Sequence, residues 1–136
     1  MKLELHATPE EVMRAVAALQ DFGEARAVPA TLLFGLTLAL EECASNIVNH
    51  ALKRDARQAF QVTFQHTGSE MIIELRDSGA AFDPTLAPTG DGLADDDAPP
   101  GGWGIFLVRK YTDEIIYVRH SGENVLRLIK HLAQPS

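Results

Sequence analysis

The hydrophobic period of the chain changes at about residue 57, and this change constrains the fold more than any other feature. Before it, "TPEEVMRAVAALQDF" begins with a capping box of Thr8 and Glu11 and has Pro9 at the first helical position, which predicts a helix ending just before Gly23. A second predicted helix opens at Pro29. After the change, "AFQVTFQH" and "EMIIELRD" alternate apolar and polar residues around a Thr-Gly-Ser turn, which predicts an antiparallel hairpin.

Further elements are predicted on either side of these. "MKLELHA" alternates as a first strand does, and "EIIYVRH" and "VLRLIKH", joined by the turn "SGEN", predict two strands near the other end. A short helix, "IFLVRKYT", is predicted between the hairpin and these last strands. The length of 136 residues fits one domain with a sizeable core, so helices and strands are expected to share it.

The charge balance excludes two classes of partner. The chain has 12 basic and 19 acidic residues, a formal net charge of −7, with no dense Lys/Arg cluster. Nucleic-acid binding and binding to anionic membranes both depend on positive charge, so neither is expected. A single cysteine, Cys43, excludes an internal disulfide and a thiolate metal site. With no signal peptide and no uninterrupted apolar run near ~18 residues, we expect a cytoplasmic protein.

Four polar residues in "EECASNIVNHA" form a stripe on the second predicted helix. Glu42, Asn46, Asn49 and His50 fall within about a quarter-turn of one another on a helical wheel, beside the apolar side. Glutamate and asparagine supply the oxygen ligands that Mg²⁺ prefers. A stripe of this kind, taken alone, is more often an ordinary exposed polar patch than a binding site.

The stretch "RDSGAAFDP" follows the second hairpin strand. Asp77 at the end of a strand, with Gly79 two residues later, can direct a carboxylate into a cleft while a ligand lies against the glycine backbone. An ionised carboxylate only accepts hydrogen bonds, which suits the amino group of a purine. A turn that merely ends the strand explains the same residues equally well.

Glycines precede the third predicted helix in "GGWGIFLVRKY". Gly101, Gly102 and Gly104 lead into a helix start, where free N–H groups and the helix dipole attract phosphate. The spacing matches neither a P-loop nor the Rossmann glycine pattern. A flexible hinge that ends the preceding loop is the other interpretation.

In chain order these three stretches are more specific than any one alone. Glu-x-x-x-Asn-x-x-x-His-Ala, Asp-x-Gly-x-x-Phe-Asp-Pro and Gly-Gly-x-Gly-Ile-x-Leu-Val resemble the N, G1 and G2 boxes of the Bergerat ATP-binding fold of the GHKL superfamily (gyrase, Hsp90, histidine kinases and MutL). The small size, the N-box form, "FDP" and "GIFLVRKYTDEIIY" resemble the anti-sigma factor serine/threonine kinases, RsbW-like and SpoIIAB-like. The resemblance covers roughly residues 8 to 131.

The resemblance implies binding of ATP and Mg²⁺ and assigns roles to individual residues. Glu42 is the expected catalytic base, Asn46 the expected Mg²⁺ ligand, and Asp77 the expected contact of the adenine amino group. Ala81 departs from the pattern, because many relatives in the superfamily have a second G1 glycine there. The other nucleotide-binding residues that the resemblance implies are Asn49, His50, Gly79, Phe82, Gly101, Gly102, Gly104 and Ile105.

The long loop from Asp83 to Pro100 is interpreted as a lid over the nucleotide, at about residues 85–100. It has no lysine or arginine and includes the acidic run at residues 95–97, which would repel a triphosphate. Neutralisation is then expected from Mg²⁺, from backbone donors, and from four cationic residues outside the lid. These are Lys53, Arg54, Arg109 and Lys110. We expect the lid to be mobile without nucleotide.

The resemblance also implies the architecture and the partners. We expect one histidine-kinase-like ATPase domain over residues 1–136, an α/β (α+β) two-layer sandwich whose mixed, mostly antiparallel sheet is covered by helices on one face. The expected activity is phosphorylation of a STAS-domain anti-anti-sigma protein, with a sigma factor and a second copy of the chain as further partners. Two alternatives are a non-catalytic module that switches partners with nucleotide, and a free-standing histidine kinase catalytic subunit.

Overall fold

The computed structural model describes residues 1–86 and 104–132 of the chain. Two long helices precede a β-hairpin, as the change of period predicts. In chain order the elements are β1 (Lys2–His6), α1 (Pro9–Ala25), α2 (Ala30–Asn46) continued by a π-helical turn (Ile47–Ala51), β2 (Ala59–His66), β3 (Glu70–Asp77), a 3-10 turn (Pro84–Leu86), α3 (Gly104–Tyr111), β4 (Glu114–His120) and β5 (Glu123–His131).

The described strands form one five-stranded sheet in the order β1-β2-β3-β5-β4, and every neighbouring pair is antiparallel. The β2–β3 and β4–β5 hairpins are joined through β5, whose Asn124 lies opposite Asp77 of β3. The expected two-layer sandwich is confirmed. We expected a mixed, mostly antiparallel sheet, and all strand pairs in the described residues are antiparallel.

The core lies between the helices and one face of this sheet. Alternate residues of β2 and β3 point toward the helices and are at most 1% exposed, as the period of two predicts. They are Phe60, Val62, Phe64, Met71, Ile73 and Leu75. From the helices, Leu19, Leu36 and Leu40 complete the same cluster, and burial of such side chains is the main stabilising contribution to the fold.

The first helix begins as the capping residues predict and ends later than expected. The Thr8 hydroxyl accepts a hydrogen bond from the Glu11 N–H (3.2 Å), and the Glu11 carboxylate accepts one from the His6 N–H (3.2 Å). The helix continues past Gly23 to Ala25. Gly23 is buried, and a Cβ there would overlap the Leu33 side chain of α2, so this glycine permits close helix packing and does not end the helix.

The second helix is unusually apolar. From Ala30 to Ala51 it has 22 residues and a mean hydropathy of 1.3, so by length and composition alone it could cross a membrane. However, 56% of its apolar window is buried inside the protein, where Leu33, Leu36 and Leu40 contact the core. That burial is typical of a central helix of a folded domain. A search of the sequence for uninterrupted apolar runs does not find this helix, because polar residues such as Thr37 lie within it.

Candidate functional site

The stripe of polar residues lies where α2 changes to a π-helical turn. The Leu52 N–H donates to the Ile47 carbonyl oxygen, five residues back (2.8 Å), so one more residue is accommodated than in an α-helical turn. The wheel used on the sequence therefore does not apply beyond Asn46. The stripe separates into half-buried Glu42 and Asn46 and exposed Asn49 and His50.

A cavity lies between the end of α2, the end of β3, and strands β4 and β5. Its polar lining consists of Asn46, Asp77, Tyr117 and Asn124, and Phe82 closes one side. Its open space is about 20 Å³, which is enough for about one water molecule. A purine base therefore enters only if side chains or the loop after β3 move. The apolar lining residues are Cys43, Ile47, Ala51, Leu75, Pro84 and Leu126.

Asp77 is the buried carboxylate of this cavity, 4% exposed. Its Oδ1 accepts hydrogen bonds from the Gly79 N–H (2.9 Å) and from Asn124 Nδ2 (3.0 Å). Burial raises the pKa of Asp77, and the hydrogen bond from Asn124 and that from Gly79 oppose the shift. Since both bonds end on Oδ1, the described residues leave Oδ2 as the oxygen that can accept from a ligand.

Asn124 is a site residue that the sequence did not suggest. It is 4% exposed and uses its whole amide: Nδ2 donates to Asp77 and to the Ala80 carbonyl oxygen (2.8 Å), and Oδ1 accepts from the Tyr117 hydroxyl and the Phe82 N–H (3.3 Å). The stretch "SGEN" indicated only a turn. The sequence did contain one indication that Asn124 is buried. It lies two and four residues before Leu126 and Leu128, so it shares their buried face of the strand.

Gly79 fits a different constraint from the one expected. The loop after β3 lies against the end of α2, where the Ala80 N–H donates to the Ala51 carbonyl oxygen (3.0 Å). A Cβ on Gly79 would lie far inside contact distance of that same oxygen. The glycine is therefore required for close packing of this loop on the helix end, whether or not a ligand also approaches it.

His50 and Asn49 lie outside the cavity lining. The His50 ring stacks on Phe82, with ring centroids 4.9 Å apart and an interplanar angle of 14°. The Asn49 side-chain oxygen Oδ1 accepts a hydrogen bond from Arg54 Nε (2.9 Å). The structure thus connects His50 to the cavity through Phe82, while Asn49 contacts a residue after the helix.

Glu42 is half-buried on α2, one turn before Asn46. Burial raises the pKa of Glu42; the neighbouring Glu41 carboxylate raises it further, while His50 lowers it. A carboxylate with a raised pKa is a better proton acceptor near neutral pH than an ordinary surface glutamate. This environment is compatible with the role expected of Glu42.

The glycine-rich stretch is only partly described. Gly101, Gly102 and the expected lid beyond Leu86 lie outside the described residues. Gly104 is the first residue of α3, and Ile105 is buried in the core. The ring of Tyr111 at the other end of α3 lies against Gly35 of α2, where a Cβ would overlap it. The Tyr111 ring and buried Ile105 therefore hold α3 against α2 and the core.

Two arginines contact the loop after β3. Arg119 of β4, which was not among the expected cations, donates to the Gly79 carbonyl oxygen (2.8 Å). Its positive charge opposes the rise in the pKa of Asp77 that burial causes. Arg109 of α3 donates to the Thr85 carbonyl oxygen (3.1 Å). Of the other expected cations, Arg54 contacts Asn49, and Lys110 lies 5.4 Å from the Tyr111 ring.

A larger open cavity of about 420 Å³ lies beside α3 and shares Tyr117 with the first one. It is lined by polar residues that include Asp83, Arg109 and Asp113. Neither Asp77 nor Asn46 lines it. The smaller cavity, which brings together the predicted residues Asn46, Asp77 and Phe82, is therefore the stronger candidate for a specific binding site.

Comparison with known proteins connects this geometry to a family. Residues 5–130 match the family described as histidine kinase-like ATPase domain. The chain is 36% identical over 137 residues to the serine/threonine-protein kinase BtrW of Bordetella bronchiseptica, covering 98% of this chain and 95% of that protein. It is 28% identical over 95 residues to the serine-protein kinase RsbW of Bacillus subtilis, covering 66% of this chain and 59% of that protein.

A solved structure supports the fold independently. The crystal structure of the SiaB–SiaC complex from Pseudomonas aeruginosa contains a chain that superposes with a TM-score of 0.63, covering 97% of this chain and 89% of that chain. The sequence identity is 12%, so this likeness concerns the fold alone.

Proposed function

We propose that this chain, which belongs to the histidine kinase-like ATPase domain family and is a serine/threonine-protein kinase of the anti-sigma factor type, transfers the γ-phosphoryl group of ATP to a STAS-type anti-anti-sigma partner. The observation that supports this most directly is Asp77, a buried carboxylate with one oxygen left for a ligand inside a cavity that Asn46 also lines. The ionised carboxylate accepts a hydrogen bond from the 6-amino group of adenine there.

The donor chemistry of the site also fits a magnesium nucleotide. Asn46 offers an amide oxygen, and Glu42 lies one turn earlier on the same helix; a hard cation takes such oxygen ligands together with phosphate oxygens. In the proposed complex Asn46 holds Mg²⁺, which supplies neutralisation of the phosphate charge. The resemblance assigns the backbone N–H groups of Gly102 and Gly104 to the phosphates, and Gly104 begins α3.

Glu42 acts in this proposal as the base that accepts the proton of the attacking hydroxyl. Positioning and charge stabilisation supply most of the acceleration in phosphoryl transfer, so the base orients the hydroxyl as well as accepting its proton. We also propose that residues 1–136 act as one domain, with residues 85–100 as the lid, in the cytoplasm.

The decisive experiment is transfer of labelled phosphate from ATP to a purified STAS-domain partner. Wild type is expected to label a serine or threonine of the partner. Glu42→Ala is expected to abolish transfer and leave ATP binding nearly intact, and Glu24→Ala, at an exposed position on α1, serves as the matched control. Full transfer by Glu42→Ala would refute the proposed mechanism, and label on a histidine would favour the histidine kinase alternative.

The nearly closed cavity favours one second candidate function. Since the open space is about 20 Å³, nucleotide binding must be accompanied by movement of the site, and such movement can change the partner surface without any transfer. A sigma factor and a second copy of the chain are the further partners that such a switch would control. ATP-dependent partner binding that Glu42→Ala retains, with no label transferred by wild type, would support this switch over the kinase.

A further inference from the structure

The side chain of Asn124 joins three separate parts of the candidate site. From β5 it donates to Asp77 at the end of β3 and to the Ala80 carbonyl oxygen in the following loop. It accepts from the Tyr117 hydroxyl of β4 and from the Phe82 N–H. All four hydrogen-bonding positions of a primary amide are therefore used, and the group is almost fully buried.

These bonds determine how Asp77 faces the cavity. A carboxylate rotates readily about its last bond, because that torsion is broad and two-fold. Without Asn124, Oδ1 of Asp77 would accept a hydrogen bond only from the Gly79 N–H, which belongs to a loop. Asn124 adds a second donor to the same oxygen from the sheet, at a position where Asp77 and Asn124 are direct partners in the β3–β5 register. With Oδ1 held from two sides, rotation of the carboxylate is restricted, and Oδ2 remains to accept from a ligand in the cavity that Asp77 lines.

We infer that Asn124 is a positioning residue that sets the preference of the site for purines with a 6-amino group. This inference rests on the proposed function, since it concerns how the nucleotide is selected. An ionised Oδ2 held in one place accepts an amino hydrogen bond and faces a base carbonyl unfavourably. A carboxylate free to rotate would lose this discrimination while the cavity could still enclose a base.

The test compares two nucleotides that differ only in that amino group. Wild type, Asn124→Leu and Tyr117→Phe are titrated calorimetrically, each in Mg²⁺, with ATP and with purine riboside triphosphate, which lacks the 6-amino group. Wild type is expected to prefer ATP by about 10- to 100-fold, as for one hydrogen bond to a charged group. In Asn124→Leu the preference is expected to fall to about threefold or less. A merely structural loosening of the site would lower the affinity for both nucleotides equally and preserve the ratio of the two affinities.

Tyr117→Phe is the matched control. It removes one bond to the amide oxygen of Asn124 and leaves both Nδ2 donations in place, so the preference for ATP is expected to persist. Equal loss of the preference in Tyr117→Phe and Asn124→Leu would overturn the inference, because a variant that keeps both Nδ2 donations would then have lost the preference as well. Persistence of the preference in Asn124→Leu would overturn it directly.

A second variant covers the case in which Asn124→Leu does not fold. Asn124→Ala has no side-chain donor, so it is also expected to lose the preference; melting curves check that each variant is folded. A preference retained by Asn124→Ala overturns the inference. If wild type binds neither nucleotide, the proposed function fails as well, and this outcome is distinct from wild-type binding with an unchanged ratio in the variants.

Discussion

At the scale of single residues, Asp77 is buried and its Oδ1 accepts two hydrogen bonds. The side-chain oxygen of an asparagine at this position could accept the same two hydrogen bonds. Its pKa is raised mainly by burial, so the folded protein binds this proton more tightly than the unfolded chain does. The associated stabilisation is present below the unfolded pKa, ~3.9, and is lost as pH rises through the higher folded value. At neutral pH the ionised carboxylate therefore lowers the free energy of unfolding.

We therefore predict that Asp77→Asn unfolds at an equal or higher temperature than wild type at pH 7, and that this advantage shrinks as the pH approaches 4. The same variant is expected to lose ATP binding, because the cavity oxygen becomes an amide that can donate. Melting curves from pH 4 to 8 and ATP calorimetry measure the two effects, with the exposed Asp21→Asn as control. Lower stability at every pH would contradict this account of Asp77.

The environment of Glu42 predicts a pH dependence of phosphate transfer. Because the base must be ionised, the rate is expected to fall as pH decreases through the raised pKa of Glu42. The Glu41 carboxylate contributes to that rise. In Glu41→Gln the acid limb of the transfer rate should therefore move to lower pH, while Glu24→Gln leaves it in place. An acid limb that does not move in Glu41→Gln would mean that Glu42 is not the titrating group.

Among single residues, the sequence suggested which side chains could bind a ligand but not which side chains contact them. The resemblance suggested Asp77, and the structure places it in a cavity with Asn46. Asn124 was missed because its importance depends on a partner 47 residues away, and no local pattern reports such a partner. Its phase with Leu126 and Leu128 indicates burial, and a buried amide requires hydrogen-bond partners. That physical signal was present in the sequence.

At the scale of elements, the packing of the loop after β3 on the end of α2 gives a testable difference between two glycines. A Cβ at Gly79 would meet the Ala51 carbonyl oxygen, which cannot move without distorting the helix end. Gly79→Ala is expected to lower the free energy of unfolding by about 1–3 kcal/mol. Gly68, in the β2–β3 turn, has nothing within 4 Å of such a Cβ. Gly68→Ala is therefore expected to be neutral or to stabilise by up to about 1 kcal/mol.

Urea denaturation of the two variants beside wild type measures this difference. Equal midpoints for Gly79→Ala and wild type would show that the loop moves freely from the helix end. In that case Gly79 would owe its presence to the ligand side of the loop, as the sequence alone suggested.

Element boundaries were the least predictable part of the fold, for identifiable reasons. The cap of α1 is local and was predicted from Thr8 and Glu11, and it is observed. The π-helical turn at Ile47–Ala51 has no local signature in the sequence. It occurs where the Ala51 carbonyl oxygen accepts from the Ala80 N–H, so a tertiary contact accompanies the change in helix type.

At the scale of the whole molecule, Cys43 reports on cooperative opening. It is the one cysteine of the chain, it is 1% exposed, and burial raises the pKa of its thiol. Alkylation of native protein is therefore expected to require unfolding. Saturating ATP, at about 100 times its Kd, should slow the labelling by about 100-fold, because only the folded form binds.

Labelling with iodoacetamide, followed by mass spectrometry, measures this protection, and labelling in denaturant gives the unprotected rate. Native labelling at the unprotected rate would contradict the burial of Cys43. ATP that slows labelling of wild type but not of Asp77→Asn would link the protection to the proposed site.

The sheet order could not be predicted from alternation, because a period of two shows which face of a strand is buried and not which strands are neighbours. Both hairpins were predicted, and β2–β3 and β4–β5 are observed. Their joining through β5 depends on long-range pairing, such as that of Ile73 with Leu128. Such pairing is decided by the fit of whole faces.

The position of β5 also has a consequence for the order of events on the ribosome. Of all the described strands it is synthesised last, yet it lies between β3 and β4 in the sheet. During translation, β1, β2, β3 and both long helices emerge while Asp77 has no Asn124 to hold it, and β4 has no neighbouring strand. Contacts between segments so far apart in the chain form slowly. The candidate cavity is therefore among the last parts of the fold to mature, and under the proposed function a partly translated chain cannot yet select its nucleotide.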